Sequence, residues 1–260
     1  MTDVALHDVL KRMDKKMCTF SIYKIFEKGI YVKEVCRLII HFIFASMDSR
    51  RFKTPFSMGV YGRRESGKTY FVTKLLSNQE LLIDKPFNKV IWVYKSYQND
   101  VYMTLSKIKH LEVVFLDDIP NFDEMGMQIN TVVVLDDLLQ EGSDNSQVCS
   151  LFTRGRHLNF SVIFLSQNLF HQGKHSRDIS LNTDYLILYK NPRDVTQIRT
   201  LAHQMYPQSK HFLSWAYNDA VNKEQYGHLV LDLKPYTDNS MRVLAKIFDL
   251  YPVVYVPRNL

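Results

Sequence analysis

The chain has 260 residues, enough for one large α/β domain with a small appendage. Hydrophobic residues make up 46% and charged residues 23%, a balance typical of globular proteins, and no apolar run reaches the roughly 18 residues that cross a bilayer. Lys and Arg outnumber Asp and Glu by 33 to 27, which suits a polyanionic partner without specifying one. The charged N-terminus and the lack of CxxC spacing among the three cysteines argue against secretion. We therefore expect an intracellular protein that has no membrane contact.

The first predicted element is a helix within residues 1–50. Apolar residues recur there at helical spacing and form one apolar face: Val32, Val35, Cys36, Ile39, Ile40 and Ile43. Such a helix either packs on the main domain or binds a partner or a second subunit. We assign residues 1–53 to a helical N-terminal extension and residues 54–260 to the main domain.

From Phe56 onward, short apolar strands alternate with polar or helical stretches. The candidate strands are Phe56–Tyr61, Val90–Tyr94, Glu112–Leu116, Thr131–Leu135, Ser161–Ser166, Tyr185–Tyr189, Gly227–Leu233 and Pro252–Val256. Most are continuously apolar, which is typical of parallel strands that helices cover on both faces. The sequence therefore predicts an α/β fold with a mostly parallel central sheet flanked by helices.

A phosphate-binding loop directly follows the first predicted strand. Residues 62–69, GRRESGKT, match the G-x-x-x-x-G-K-[ST] pattern, and a predicted helix follows. Backbone N–H groups of such a loop point at phosphates, Lys68 would reach the β- and γ-phosphates of ATP, and the Thr69 hydroxyl would bind Mg²⁺. The candidate nucleotide-binding residues are Gly62, Arg63, Arg64, Glu65, Ser66, Gly67, Lys68, Thr69 and Tyr70. The carboxylate of Glu65 is unfavourable beside phosphate unless a neighbouring arginine pairs with it.

A magnesium-binding carboxylate is expected at the end of a neighbouring strand. Asp136 and Asp137 follow four apolar residues in TVVVLDD; Asp136 would hold Mg²⁺ and Asp137 would polarise the attacking water. The segment VVFLDD ends in a rival pair, Asp117 and Asp118. Because Ile119-Pro120 follows that pair at once, a loop is favoured there, and we favour Asp136 and Asp137.

The next strand ends at Gln167, which is placed to sense the γ-phosphate or to orient water, unless it is an ordinary strand cap. Upstream, Arg154, Arg156 and His157 lie at a predicted helix-to-strand junction. Three alternatives stay open for them: contact with DNA, contact with a neighbour's nucleotide, or simple exposure to solvent.

Arg193 follows the strand Tyr185–Tyr189 in the turn Asn-Pro-Arg-Asp. A helix is predicted to follow, with Asp194 at its N-cap, Gln197 three residues on, and Pro207 closing it. Because Pro192 fixes φ in this turn, the Arg193 guanidinium should project from a rigid base. It suits completion of a neighbour's ATP site, contact with DNA phosphate, or a salt bridge to Asp194. We favour the first of these.

Linked sequence blocks extend well beyond the phosphate-binding loop, from about Pro55 to Pro257. They read PFSMGVYGRRESGKTYFV, VVVLDDLL, LFTRGRHLNFSVIFLSQNLF, ISLNTDYLILYKNPRD, LAHQMYP, HLVLDLKPYT and VVYVP. Together they resemble the packaging ATPases of Polinton/Maverick-type elements and related DNA viruses. That group is akin to the poxvirus packaging ATPase and lies in the FtsK–HerA superfamily of P-loop NTPases.

The resemblance implies a RecA-like fold and a homo-oligomeric ring through which ATP hydrolysis drives double-stranded DNA into a capsid. It also implies capsid proteins as partners and action in the host nucleus or cytoplasm. The Walker A role falls on Gly62, Gly67, Lys68 and Thr69, the Walker B role on Asp136 and Asp137, and the sensor role on Gln167. Two positions depart from the family pattern: glycine is usual where Glu65 stands, and a His-His pair is usual where Arg156-His157 stands.

Two other functions use the same loop. A cellular FtsK/HerA-like DNA translocase or helicase would share the whole site but lack a capsid role. A small-molecule kinase would share only the loop, and the tandem Asp136-Asp137 with Gln167 on the next strand argues against it.

Overall fold

The computed structural model describes residues 51–95, 99–136, 138, 145–169, 174–193, 195–249 and 252–257. Most of the predicted N-terminal extension lies outside these residues, so its helical structure and its boundary at residue 53 stay predictions. Asp137 and Asp194 also lie outside them. None of the helices in the described part of the chain combines the length and apolarity that a membrane span requires.

The core of the fold is a central sheet to which nine strands of the described residues contribute. The strands are β1 (Ser57–Tyr61), β2 (Lys89–Tyr94), β3 (Glu112–Leu116), β4 (Thr131–Asp136), β5 (Phe160–Ser166), β6 (Tyr185–Tyr189), β7 (His228–Asp232), β8 (Val243–Ala245) and β9 (Val253–Tyr255). Their order is β3-β2-β4-β5-β1-β6-β7-β8-β9. The pairings from β3 to β6 are parallel and those from β6 to β9 antiparallel. The predicted α/β class with a mostly parallel sheet is confirmed.

Helices cover both faces of this sheet. They are α1 (Lys68–Ser77), α2 (Gln79–Leu82), α3 (Asn99–Leu105), α4 (Ser146–Arg154), α5 (Ser176–Leu181), α6 (Val195–Met205) and α7 (Phe212–Asn222). Short 3-10 helices lie at Phe122–Met125, Gly155–Leu158 and Asn239–Met241. The helix predicted before Pro207 is α6, and the helix predicted after the phosphate-binding loop is α1, in which Phe71, Val72, Leu75 and Leu76 are buried.

Successive residues of a strand point to opposite faces of the sheet, so they pack in different hydrophobic clusters. Val132 and Val134 of β4 pack in the cluster that contains the buried face of α1. Val133 and Leu135 pack in a second cluster with the buried face of α4. All six residues of β4 are buried, which explains why its sequence is continuously apolar rather than alternating. The strand thus fixes the position of its last residue, Asp136, at the carboxyl ends of the parallel strands.

The sequence did not indicate β8, because three residues give too short an apolar run.

The sequence also left the role of Arg156 open. In the structure the Arg156 guanidinium donates to Asp184, whose carboxylate also accepts from the backbone N–H of Ser57 at 2.9 Å. Ser57 begins β1 and Asp184 directly precedes β6, so this ion pair lies at the amino-terminal ends of these strands, whereas the phosphate-binding loop lies at the carboxyl end of β1. Arg156 there ties the connection before β5 to β1 and β6.

Candidate nucleotide-binding site

The phosphate-binding loop connects the end of β1 to the start of α1. The backbone N–H of Gly62 donates to the carbonyl oxygen of Ser166 at 3.2 Å, which anchors the start of the loop to the end of β5. Gly67 ends the loop with φ 98°, in the left-handed region that glycine adopts readily, and its carbonyl accepts the N–H of Phe71 at 2.8 Å. The loop therefore passes directly into the first turn of a buried helix.

Close packing explains the two glycines of the motif. A Cβ at position 62 would lie 2.6 Å from the Cβ of Tyr189 and 2.5 Å from the Ser66 hydroxyl. A Cβ at position 67 would lie 2.9 Å from the ring of Tyr226. Both positions exclude larger residues by contact with side chains that come from distant parts of the sequence.

Glu65 takes a left-handed conformation, with φ 62°. This is the position where the related packaging ATPases usually have glycine. A residue with a side chain in this region costs about 1–2 kcal/mol relative to its preferred conformation. The side chain of Glu65 is exposed, so the loop accepts its carboxylate without burying it.

Lys68 is the first residue of α1, and its ammonium group turns back over the loop. Its Nζ donates to the carbonyl oxygens of Gly62 at 2.8 Å and of Arg63 at 3.0 Å. Thr69 follows within the same helical turn. The helix N-terminus and the ammonium group both favour an anion at this place.

A cavity of about 690 Å³ opens above the loop and brings most of the predicted site together. It is lined by Arg64, Glu65, Ser66, Gly67, Lys68, Thr69, Tyr70, Lys95, Asp100, Asp136, Gln167 and Tyr226. Asp136 is only 5% exposed and is the last residue of β4. Strand β5 lies between β4 and β1, so β4 and β1 are about 10 Å apart. The Thr69 hydroxyl and the Asp136 carboxylate are oxygen donors of the kind that Mg²⁺ prefers, so this edge of the cavity fits the ion.

The rival pair, Asp117 and Asp118, lies far from this cavity. Strand β3 is at the edge of the sheet, four strand spacings or roughly 19 Å from β1. Both carboxylates are exposed, and that of Asp118 accepts the backbone N–H of Ile119 at 2.8 Å. The sheet order thus favours Asp136 as the metal-binding residue.

Gln167 lines the cavity at the end of β5, between the strands that carry the loop and Asp136. The segment after it is tied to α6, because the Gln197 side chain accepts the N–H of Leu169 at 3.0 Å. If Gln167 contacts a nucleotide, it therefore does so from a strand end whose following segment is held by a hydrogen bond to α6.

Arg193 is not among the residues that line this cavity. It is exposed, and its backbone N–H donates to the Asn191 side chain at 3.3 Å. The turn is anchored by Tyr217, whose hydroxyl donates to the Tyr189 carbonyl at 2.9 Å and accepts the N–H of Asn191 at 3.0 Å. The structure thus holds the base of the turn and leaves the arginine outside its own chain's cavity.

Three lining residues were missed by the sequence analysis. Lys95 directly follows β2 and so lies, like Asp136, at the carboxyl ends of the parallel strands. Its position directly after a predicted strand could have identified it. Asp100, on α3, gave none. Tyr226 gave none either, because it lies more than 150 residues from the loop and meets it only through the fold.

The parallel sheet, the glycine-bounded loop and the cavity that joins it to a strand-end carboxylate define a P-loop ATPase. The chain matches the Poxvirus A32 protein family over residues 44–198, and it belongs to that family. No match is found among the curated proteins.

Solved structures with a similar chain path are distant. One is the genome packaging NTPase B204 of Sulfolobus turreted icosahedral virus 2 in complex with ATP-gammaS, at 13% identity and TM-score 0.45, covering 78% of this chain and 98% of that one. The same NTPase in complex with sulfate gives 14% identity, the same coverage and TM-score 0.47. A KaiC-like protein of Pyrococcus horikoshii gives 12% identity and TM-score 0.40, covering 78% and 90%. These likenesses are too remote to support an argument about function.

Proposed function

We propose that this protein is an ATP-driven motor that packages double-stranded DNA into a viral capsid. The observation that carries the proposal is the single cavity shared by Lys68, Thr69, Asp136 and Gln167 in a member of the Poxvirus A32 protein family. A loop for phosphates and a buried carboxylate for a divalent cation are the two halves of an ATP-hydrolysing site. Family membership favours viral packaging over a cellular translocase, which would have the same site.

Lys68, Thr69, Asp136 and Gln167 each have a distinct task, and so does Asp137, which follows Asp136 in the sequence. The Lys68 ammonium neutralises the charge that develops on the transferred phosphoryl group, and the loop N–H groups hold the phosphates in place. Thr69 and Asp136 would hold Mg²⁺, which would neutralise the negative charge of the phosphates during hydrolysis. Asp137 polarises the attacking water, and Gln167 orients that water or senses the γ-phosphate.

The proposed assembly is a homo-oligomeric ring in which Arg193 completes the ATP site of the neighbouring subunit. Two observations support this assignment: the Arg193 side chain is exposed outside its own cavity, and the turn that carries it is anchored through Asn191 to Tyr217. A guanidinium held in this way can stabilise transition-state charge from outside a subunit.

Duplex DNA of arbitrary sequence is the proposed substrate of the movement. Contacts with phosphates serve this task better than contacts with bases, because phosphates are the same at every step. The excess of basic residues, 33 against 27 acidic ones, is consistent with such contacts. Capsid proteins would be further partners, in the host nucleus or cytoplasm.

The experiment is ATPase activity measured with and without duplex DNA at matched salt concentration, repeated over a range of salt concentrations. We expect the wild-type protein to hydrolyse ATP and duplex DNA to stimulate hydrolysis. Phosphate release with no response to duplex DNA over a range of salt would contradict the motor. Absence of any ATP hydrolysis by the assembled protein would contradict the enzyme itself.

A further inference from the structure

Two tyrosines at the rim of the cavity take no part in the phosphate and metal binding proposed above. Tyr70 directly follows Thr69 in the first turn of α1, and Tyr226 lies in the turn between α7 and β7. Both line the cavity, yet 57% of Tyr70 and 48% of Tyr226 is exposed. Here two large aromatic rings lie together, partly open to solvent, beside the phosphate-binding loop.

The backbone of Tyr226 is held in an unfavourable conformation. Its φ is 63°, in the left-handed region that a bulky residue rarely adopts. The position precedes Gly227, so the turn has a glycine beside it, yet the tyrosine takes the positive φ. Conformations of this kind cluster where the side chain has a task that repays the cost.

Contacts on the inner side fix the orientation of both rings. Tyr226 packs against the backbone of Gly67, and Nδ1 of His228 lies 3.1 Å from the Tyr226 carbonyl oxygen. The Lys74 ammonium lies 5.7 Å from the centre of the Tyr70 ring. The centres of the two rings are 6.1 Å apart at an interplanar angle of 39°. The two rings are therefore close enough to act together as one aromatic part of the cavity lining.

We infer that Tyr226 and Tyr70 form the surface on which the base of the bound nucleoside triphosphate stacks. The inference rests on the proposed function and extends it. Phosphates bound at the loop would bring the nucleoside within reach of the cavity rim, and among the described residues the tyrosine pair is the aromatic part of the cavity lining. Stacking on an aromatic ring accepts any base, because every base has a π face.

The test compares the affinity for ATP with the affinity for inorganic tripolyphosphate, which has the phosphates but no base. Tyr226→Ala should weaken ATP binding by roughly 5- to 150-fold, the range for loss of one base–aromatic stack, and leave tripolyphosphate binding unchanged. Tyr226→Phe should retain both affinities. Tyr236→Ala is the matched control, because that tyrosine is 69% exposed and does not line the cavity.

Tyr226→Gly separates binding from folding. Glycine adopts a φ of 63° without penalty, so the variant should melt at or above the temperature of Tyr226→Ala and still lose ATP affinity. Equal weakening of ATP and tripolyphosphate in the Tyr226 variants would assign Tyr226 to support of the loop and overturn the inference. Unchanged ATP affinity would overturn it as well. Failure of the wild-type protein to bind either ligand would instead remove the proposed function on which the inference rests.

Discussion

The hydroxyl of Tyr189 donates a hydrogen bond to the carbonyl oxygen of Gly67 at 3.3 Å. Tyr189 ends β6, the strand beside β1, and its Cβ also occupies the space that a side chain at Gly62 would need. Burial raises the pKa of the Tyr189 hydroxyl, so the group stays protonated and able to donate at physiological pH. One side chain of the sheet therefore contacts the phosphate-binding loop at both of its glycines.

Between those glycines the loop carries backbone strain at Glu65, which a glycine should relieve. Glu65→Gly removes the cost of φ 62° but gives the unfolded chain more freedom, so the net gain in the free energy of unfolding should be about 1 kcal/mol. Glu65→Ala keeps a Cβ at the same φ and should gain nothing. Denaturant unfolding of the three proteins checks this. A larger gain in the alanine variant would show that the carboxylate, not the backbone, is the unfavourable feature.

Asp136 and Asp118 give a matched pair for the metal site. Asp136→Asn should weaken nucleotide binding in Mg²⁺ by roughly 10- to 100-fold or more, because even an outer contact of a metal site contributes that much, and it should leave binding in EDTA nearly unchanged. Asp118→Asn should bind like the wild type, because its side-chain oxygen still accepts the N–H of Ile119. Isothermal titration with and without Mg²⁺ measures both effects. The opposite pattern would move the metal site to β3.

Arg193 is tested by mixing subunits. Arg193→Ala and Lys68→Ala should each be nearly inactive alone, because an arginine supplied to a neighbour contributes on the order of 10³–10⁵ in rate. Mixed rings would pair an intact Lys68 site with an intact Arg193 from the next subunit and recover ATPase activity. Arg199→Ala, an exposed arginine on α6, is the control and should be active alone. Full activity of Arg193→Ala by itself, or no recovery in mixed rings shown to assemble, would refute the assignment.

His228 should make the site sensitive to acid. Burial lowers its pKa, Lys74 adds to the lowering, and the Tyr226 carbonyl and Glu224 act in the opposite direction. Its Nε2 is buried with no hydrogen-bond partner among the described residues, so a proton there would find no acceptor. The pKa of His228 in the folded protein lies below its unfolded value of about 6.5, so the fold favours the neutral imidazole. The contribution of His228 to the stability of the fold is therefore complete above pH 6.5 and is lost as the pH falls through the folded-state pKa.

The corresponding measurement is thermal melting at pH 7.5 and 5.0. His228→Asn keeps a donor near the Tyr226 carbonyl but does not titrate, so its melting temperature should fall less than that of the wild type between the two pH values. Equal falls in both proteins would mean that other groups account for the acid sensitivity.

Local signals predicted the fold, and they indicated residues that the structure brings together around one cavity. β1, the loop and α1 are contiguous, and the apolar run before Asp136 is long enough to identify β4. The sheet order could not be predicted, because it depends on which buried strands become neighbours, and that order is what separates Asp136 from Asp117. Tyr226 and the Arg156–Asp184 pair were missed for the same reason: each contact joins segments that only the folded sheet brings together.

The most direct test of the motor is displacement of a third strand from a triplex on linear duplex DNA. A protein that moves along the duplex strips the third strand, whereas one that only binds DNA leaves it in place. We predict displacement by the wild-type protein with ATP, and none with ATP-gammaS or with Lys68→Ala, whose DNA binding is measured in parallel. ATP hydrolysis by the wild-type protein on this DNA without displacement, or equal displacement by Lys68→Ala, would contradict the account.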